Sequence, residues 1–169
     1  MSAMIDRLEP GQWAVLREMR LASLADSPTA FWATHADEAA FDHARWDGFV
    51  RAAAWFVATQ SGQRVGMAGA LTRPEESDEP ELIGMWVAPQ ARRSGVGAQL
   101  VDAVCEWATA QDARAVSLWV LDGNDDARRV YVRSGFTETG ERMPLPRDPT
   151  HVEIRMRKSL RAAGPTAER

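Results

Sequence analysis

The chain has 169 residues, of which 45% are hydrophobic and 26% are charged, and its formal net charge is −4. This length fits one domain, and the apolar fraction is typical of globular rather than disordered proteins. A single cysteine, Cys105, excludes an internal disulfide framework, the three scattered histidines predict no metal site, and the acidic balance argues against a nucleic-acid partner.

The N-terminal region lacks the pattern of a secretion signal. Residues 1–10 contain no apolar core of a signal peptide, and no apolar run approaches the roughly 20 residues that a membrane-spanning helix needs. The sequence therefore predicts a cytoplasmic protein without a membrane partner. Cys105 lies in a predicted helix, where we expect an inert, buried thiol.

The first third of the chain predicts one short strand and two helices. Residues 5–8 are apolar enough for a strand, and apolar residues then recur at helical spacing over residues 13–24, before a Ser-Pro pair ends the helix. Residues 37–51 predict a second helix, on which Glu38 and Asp42 would be surface charges.

The rest of the chain alternates strands with helices. The predicted strands cover residues 54–60, 64–71, 81–88, 115–121, 136–141 and 151–160, and the predicted helices cover residues 97–111 and 124–134. An acidic loop is predicted over residues 72–80. The order β-α-α-β-β-β-α-β-α-β-β is typical of one mixed α/β domain with helices on both faces of a sheet. This domain would span residues 1–160, followed by a disordered tail over residues 161–169.

The segment over residues 87–98 has the features of an anion site. A strand leads through Arg92 and Arg93 to a helix start flanked by Gly95 and Gly97. Amides at a helix N-terminus lack intrahelical partners, the helix dipole adds positive potential, and glycines allow close approach of a ligand. The third glycine of a dinucleotide fingerprint and the lysine of a Walker A loop are missing. A pyrophosphate at this terminus is the interpretation, and a plain tight turn is the alternative.

A second segment, residues 124–136, places three side chains roughly on one face of a predicted helix: Asn124, Ala127 and Tyr131. Taken alone, Asn124 is typical of a helix N-cap, and Tyr131, the only tyrosine, is typical of a half-buried core aromatic. Gly135 fits a left-handed cap after this helix.

Together the two segments resemble the GNAT superfamily of acyl-CoA-dependent N-acetyltransferases. The matching residues are Val87-x-Pro89, Arg92-x-x-Gly95-x-Gly97 and Asn124-x-x-Ala127-x-x-x-Tyr131-x-x-x-Gly135-Phe136. Each motif is moderately specific, and both occur in the family's order within a resemblance that covers residues 5–160. The resemblance implies an α/β (α+β) single-domain GNAT fold, with a mixed central sheet of about seven strands flanked by about four helices.

The resemblance implies acetyl-CoA as the co-substrate, bound without a metal in a notch between strands 81–88 and 115–121. The pyrophosphate would bind the loop, and the pantetheine would run beside the first of these strands. The implied cofactor-binding residues are Met85, Val87, Arg92, Arg93, Ser94, Gly95, Val96, Gly97, Ala98, Asn124 and Tyr131.

The implied reaction is direct attack of a primary amine on the thioester. Tyr131 would donate a proton to the leaving thiolate, because a phenol with a pKa of about 10 is protonated at neutral pH. Glu81 would accept the proton of the amine through water, or would instead be an exposed carboxylate beside the acidic loop. A backbone N–H near Val87 would stabilise negative charge on the carbonyl oxygen.

The acceptor would lie between the first helices and the last hairpin, where Phe31 and Trp32 are the candidate substrate-binding residues. Protein N-termini, amino acids, polyamines and antibiotics all fit as acceptors, and homodimers are common in the family. The alternative function is a non-catalytic acyl-CoA-binding sensor or interaction module. Such a module would keep Arg92, Gly95 and Gly97 but would not need Tyr131.

Overall fold

Seven strands form one sheet in the computed structural model, which describes residues 2–160. In chain order the strands are β1 (Met4–Arg7), β2 (Ala54–Gln60), β3 (Gln63–Arg73), β4 (Ser77–Val87), β5 (Ala115–Leu121), β6 (Thr137–Pro144) and β7 (Val152–Ser159). The helices are α1 (Trp13–Asp26), α2 (His35–Ala39), α3 (His43–Ala52), α4 (Val96–Ala110) and α5 (Asp125–Arg133). The tail predicted over residues 161–169 lies outside the described residues.

The sheet has the order β1-β2-β3-β4-β5-β7-β6, and only β4 and β5 pair in parallel. A parallel pair needs a crossover connection, which α4 provides. Helix α4 packs over β2, β3 and β4, whereas α1 packs on β3 and β4 from the other side. The predicted mixed sheet of seven strands with helices on both faces is therefore confirmed. Within residues 2–160, no helix combines the length and apolar character that crossing a bilayer requires.

The predicted helix over residues 37–51 is two helices, α2 and α3. Asp42 lies between them and caps α3, because its Oδ1 accepts a hydrogen bond from the backbone N–H of Arg45 at 2.9 Å. The described chain therefore has five α-helices, where about four were expected. Asp42 is exposed, as the sequence predicts, but Glu38 is buried, so its interpretation as a surface charge is wrong.

The hairpin between β3 and β4 is longer than the sequence predicts. The acidic loop expected over residues 72–80 shrinks to a turn at residues 74–76, and both strands extend into the remainder. Ion pairs stabilise this end of the sheet: Arg73 with Glu81 at 2.7 Å, and Arg157 with Glu79 at 2.5 Å. Two of the five carboxylates over residues 75–81 are thus paired with arginines, one on β3 and one on β7.

A β-bulge bends β4 at Gly84. The register against β3 changes here, so that β4 contains one more residue than the strand it faces. Gly84 has φ +60, and a Cβ at this position would lie 2.7 Å from the ring of Trp55. Both the backbone conformation and the packing therefore require glycine.

The bulge coincides with the separation of the two central strands. β4 and β5 pair only at Glu81 with Ser117 and at Leu82 with Leu118. Beyond these residues the strands diverge, and residues 83–87 of β4 have no partner strand on the side of β5. A notch opens between the strands at this point.

Candidate functional site

A cleft of about 1270 Å³ passes through the notch between β4 and β5. Its α4–α5 half is lined by the loop before α4 and by α5, including Arg93, Gly95, Gly97, Asn124, Tyr131 and Arg133. Its α1–α2 half is lined by the connection after α1 and by the sheet, including Phe31, Trp32, Glu81, Trp119, Leu121 and Glu153. Met85 and Val87 line the cleft between the two halves.

The start of α4 presents unpaired amides. The first hydrogen bond of the helix runs from Gln99 N to Gly95 O at 3.1 Å, so the amides of residues 96–98 have no acceptor within the described chain. Arg93 and Gly95 have φ of +61 and +87, a backbone that turns successive amides toward one concavity. A Cβ on Gly95 would meet nothing within 4 Å, so the space beside this residue is open. The loop therefore suits an anion.

The two arginines of this loop have different surroundings. Arg92 Nε donates to the carbonyl oxygen of Val87 at 3.0 Å, and the same guanidinium pairs with Asp26. Arg92 was expected at the cofactor, but its side chain ties the loop to β4 and α1. Arg93 lines the cleft and has no ion-pair partner among residues 2–160, so its charge is available to a ligand.

Other residues assigned to the cofactor contribute in different ways. Ser94 Oγ donates to Ala91 O at 2.5 Å, and Val96 lies in the core, so only their backbone atoms could reach a ligand. Ala98 lines the cleft. A Cβ on Gly97 would lie 3.3 Å from Met85 Cε, so this glycine allows α4 to approach β4 closely.

Helix α5 places its two candidate residues in the cleft. Asn124 is the N-cap, since its Oδ1 accepts from the backbone N–H of Ala127 at 3.3 Å. Tyr131 packs against Phe136, with ring centroids 6.0 Å apart, and its hydroxyl has no hydrogen-bond partner within the described chain. Burial raises the pKa of Tyr131 above its usual value. The phenol is therefore protonated at neutral pH and able to donate.

A buried ion pair shapes the α1–α2 half. Arg20 donates from Nε and Nη2 to Glu38 at 2.8 and 3.0 Å, and its Cζ lies 4.7 Å from the ring centre of Phe31. The pair therefore fixes an arginine against Phe31 at the cleft wall. The loop before β7, which the sequence also placed near the acceptor, reaches α2 through the ion pair of Arg147 with Asp37 at 2.5 Å.

Sequence reasoning missed Glu153, a buried carboxylate in the cleft. Trp32 Nε1 donates to Glu153 Oε2 at 2.9 Å, although the Trp32 side chain is half-exposed. Burial raises the pKa of Glu153, the hydrogen bond from Trp32 opposes this, and the negative charge of Glu81 adds to it. The only signal in the sequence was a carboxylate beside apolar neighbours in the last strand.

Glu81, the predicted base, lines the same half but is paired with Arg73 at 2.7 Å. Cys105 is buried, and burial raises the pKa of its thiol, which disfavours the reactive thiolate. Among residues 2–160, no group of three or more His, Cys, Asp and Glu side chains is arranged to hold a metal ion.

Comparison with known sequences identifies relatives that are all acetyltransferases. An uncharacterised N-acetyltransferase of Methanocaldococcus jannaschii is 31% identical over 96 residues, which cover 54% of this chain and 40% of the relative. Aminoglycoside N(6')-acetyltransferase type 1 of Salmonella typhimurium is 31% identical over 90 residues, which cover 50% of this chain and 62% of the relative. The chain thus spans about half the length of the curated relatives it matches.

Solved structures share the fold. Ribosomal-protein-alanine N-acetyltransferase from Brucella melitensis has a TM-score of 0.73 at 21% identity, covering 93% of this chain and 99% of that one. A Salmonella typhimurium structure described as an acetyltransferase with acetyl-CoA has a TM-score of 0.75 at 17% identity, covering 99% and 100%. The profile of the Acetyltransferase (GNAT) family matches residues 17–136. The chain, with its splayed central strands and its loop of unpaired amides before α4, belongs to the GNAT acetyltransferase family.

Proposed function

We propose that the protein transfers an acetyl group from acetyl-CoA to a primary amine by direct attack. One observation carries this proposal: the notch between β4 and β5 brings the free amides of α4 and the buried Tyr131 into one cleft. Membership of the family supports the donor, and one structural relative was solved with acetyl-CoA. The relatives named for an aminoglycoside and for a ribosomal-protein alanine support an amine as the acceptor.

The residues of the α4–α5 half fit the donor. The amides of residues 96–98 would bind the pyrophosphate, because they have no acceptor in the described chain and sit at the positive end of the α4 dipole. Arg93 and Arg133, which line the cleft, supply positive charge for phosphates. The open space beside Gly95 leaves room for the ligand. When bound, acetyl-CoA supplies an acetyl group activated as a thioester.

Three groups of the chain would act on the reaction. Tyr131 would hold a proton at its hydroxyl and deliver it to the leaving sulfur, and its raised pKa keeps that proton in place beforehand. Glu81 would accept the proton of the amine through a water molecule. A backbone N–H near Val87 would stabilise negative charge on the thioester oxygen. The proposed route uses no enzyme nucleophile, since Cys105 is buried and its thiol is held protonated.

The test is amine-dependent release of free thiol by the purified protein with acetyl-CoA. We would supply a panel of a diamine, an amino acid, a peptide with a free N-terminus and an aminoglycoside, and identify the product by its mass. Thiol release that depends on one of these amines, together with an acetylated amine, supports the proposal. Binding of acetyl-CoA by calorimetry without thiol release for any amine would favour the acyl-CoA-binding module.

A further inference from the structure

Most charged side chains that line the cleft are paired with a neighbour of opposite charge. The pairs are Arg20 with Glu38, Arg73 with Glu81, Arg92 with Asp26 and Arg129 with Asp126. Three lining charges have no ion-pair partner in the part of the chain that the structure describes: Arg93, Arg133 and Glu153. Since paired charges largely cancel, these three decide the net charge of the cleft.

The positive and the negative unpaired charges lie in different halves of the cleft. Arg93 and Arg133 belong to the α4–α5 half, where the free amides also lie. Glu153 belongs to the α1–α2 half, beside Phe31 and Trp32. The cleft is thus positive where the phosphates of the proposed donor would bind, and negative where the acceptor would bind.

Among residues 2–160, no cationic side chain forms an ion pair with Glu153. Its cross-strand neighbours are apolar, Leu121 on β5 and Met143 on β6. Arg155, two residues along β7, is bound to Glu141 at 2.9 Å and to Ser117 at 3.3 Å. Glu153 Oε2 accepts from one neutral donor, the indole of Trp32, and Oε1 accepts no hydrogen bond within residues 2–160. Only 5% of the residue is exposed.

A buried carboxylate without a cation is unfavourable in the free protein. It becomes favourable when a ligand brings a positive group, because a hydrogen bond between charged groups is strong in a site that excludes water. Glu153, a buried carboxylate that lines the cleft without an ion-pair partner in the described chain, therefore fits a ligand that brings a positive group.

We propose that Glu153 binds a second, protonated amine of the acceptor, so that the preferred substrates are diamines or larger polyamines. This inference rests on the proposed acetyl transfer. The attacking amine must be neutral when it reacts and cannot balance Glu153 at that moment, whereas a second amine stays protonated throughout. The aromatic walls at Phe31 and Trp119 suit the methylene spacer between the two amines.

The experiment compares three ligands with the same four-carbon chain: putrescine, aminobutanol and butylamine. Each is titrated calorimetrically into the protein saturated with CoA, and each is also assayed as an acceptor with acetyl-CoA. The variant is Glu153→Gln, which removes the charge and keeps an oxygen that can accept from Trp32. The matched control is Glu18→Gln, which removes an exposed carboxylate paired with Arg64 on the outside of α1.

In the wild-type protein and in Glu18→Gln, we expect kcat/KM for acetylation of putrescine to be about 10- to 100-fold higher than for butylamine or aminobutanol, because a monoamine held by Glu153 has no second amine to attack the thioester. In Glu153→Gln this preference should vanish, with acetyl-CoA affinity unchanged. Equal kcat/KM for the three acceptors in the wild-type protein would overturn the proposal without any variant, as would a preference that persists in a folded Glu153→Gln. Putrescine bound through Glu153 but never acetylated would contradict the proposed function alone, and acetylation without a diamine preference would contradict this inference alone.

Discussion

The indole Nε1 of Trp86 donates a hydrogen bond to Asp26 Oδ2 at 2.9 Å, which joins β4 beyond its bulge to the last residue of α1. The same carboxylate pairs with Arg92 in the loop before α4. Asp26 thereby connects the three parts of the chain that frame the cleft. The bond from Trp86 is the main reason why the pKa of Asp26 is lowered, desolvation opposes it, and Ser27 and Arg92 also lower it.

Replacing Asp26 by alanine should reduce the free energy of unfolding by about 1–3 kcal/mol at neutral pH, because a buried indole donor loses its acceptor. A carboxylate with a lowered folded-state pKa stabilises the protein above the unfolded-state pKa of about 3.9. That stabilisation is lost as the pH falls through the pKa of Asp26 in the folded state, which is lower. The difference between wild type and Asp26→Ala should therefore be constant near neutrality and shrink below about pH 4.

Urea unfolding across this pH range measures the effect. Asp26→Asn is the control, since it keeps an oxygen for Trp86 without the charge and should lie between the other two proteins at neutral pH. If Asp26→Ala unfolds at the wild-type urea concentration at neutral pH, the linkage contributes nothing to stability.

Gly95→Val should weaken acetyl-CoA binding about 10- to 100-fold, because the new side chain would fill the open space beside the free amides of residues 96–98. A β-branched residue at φ +87 is also strained, so stability must be separated from binding. Gly62, in the turn between β2 and β3, is the matched control. It has a similar φ of +75, and a Cβ built on it would also meet nothing within 4 Å.

Gly62→Val should therefore lose stability without losing acetyl-CoA affinity. Calorimetric titration of both variants decides between the two causes. A folded Gly95→Val that binds acetyl-CoA as tightly as wild type would remove the loop from the binding site.

Tyr131→Phe should lower turnover by about 10²–10⁴-fold with little change in acetyl-CoA affinity, because the ring that packs on Phe136 remains and only the proton is lost. Since burial raises the pKa of Tyr131, its ionisation should not limit the wild-type rate up to about pH 10. Turnover is measured by thiol release over this pH range. Wild-type turnover in the phenylalanine variant at every pH would reduce Tyr131 to a packing residue.

Sequence patterns predicted the elements that depend on residues close together along the chain. Asn124 caps α5 through an amide three residues away, and Gly135 has φ +95 just after the helix, as its position suggested. Repeating apolar spacing likewise located α4 and the strands, because one buried face imposes a period on the sequence. The start of α4 could be recognised because its glycines and arginines are contiguous.

The features that the sequence could not reveal depend on partners far along the chain. The burial of Glu38 follows from Arg20, 18 residues earlier, and the role of Glu153 follows from Trp32, 121 residues away. The bulge at Gly84 depends on Trp55 in another strand. No local spacing encodes such pairs, so Glu38 was placed on the surface and Glu153 was overlooked.

Glu38→Ala should destabilise the protein by about 3–5 kcal/mol, since it leaves the largely buried guanidinium of Arg20 without its partner. The exposed pair of Glu18 with Arg64 is the comparison, and Glu18→Ala should cost no more than about 1 kcal/mol. Urea unfolding of both variants measures the contrast. Equal losses in the free energy of unfolding for the two variants would mean that burial of the Arg20–Glu38 pair has no energetic consequence.

Glu81→Gln should lower kcat most near neutral pH, if Glu81 removes the proton of the acceptor amine. An alkyl amine with a pKa of about 10 is almost fully protonated at pH 7 and needs a base there, whereas at higher pH it loses the proton to solvent. The loss in kcat should therefore shrink as the pH approaches the pKa of the amine. Arg73→Gln is a second variant. It leaves the Glu81 carboxylate in place and removes the cation that pairs with it at 2.7 Å.

The competing role for Glu81 is attraction of a cationic amine, and the two roles separate in the kinetic constants. A carboxylate that only attracts the acceptor should change KM, an effect weakened by salt, and should leave kcat unaltered. Arg73→Gln should then lower KM, since it exposes more negative charge to the cleft. Profiles of kcat and KM from about pH 6 to pH 10 in both variants distinguish these outcomes. A kcat for Glu81→Gln that equals wild type at every pH would remove Glu81 as the base and leave water to accept the proton.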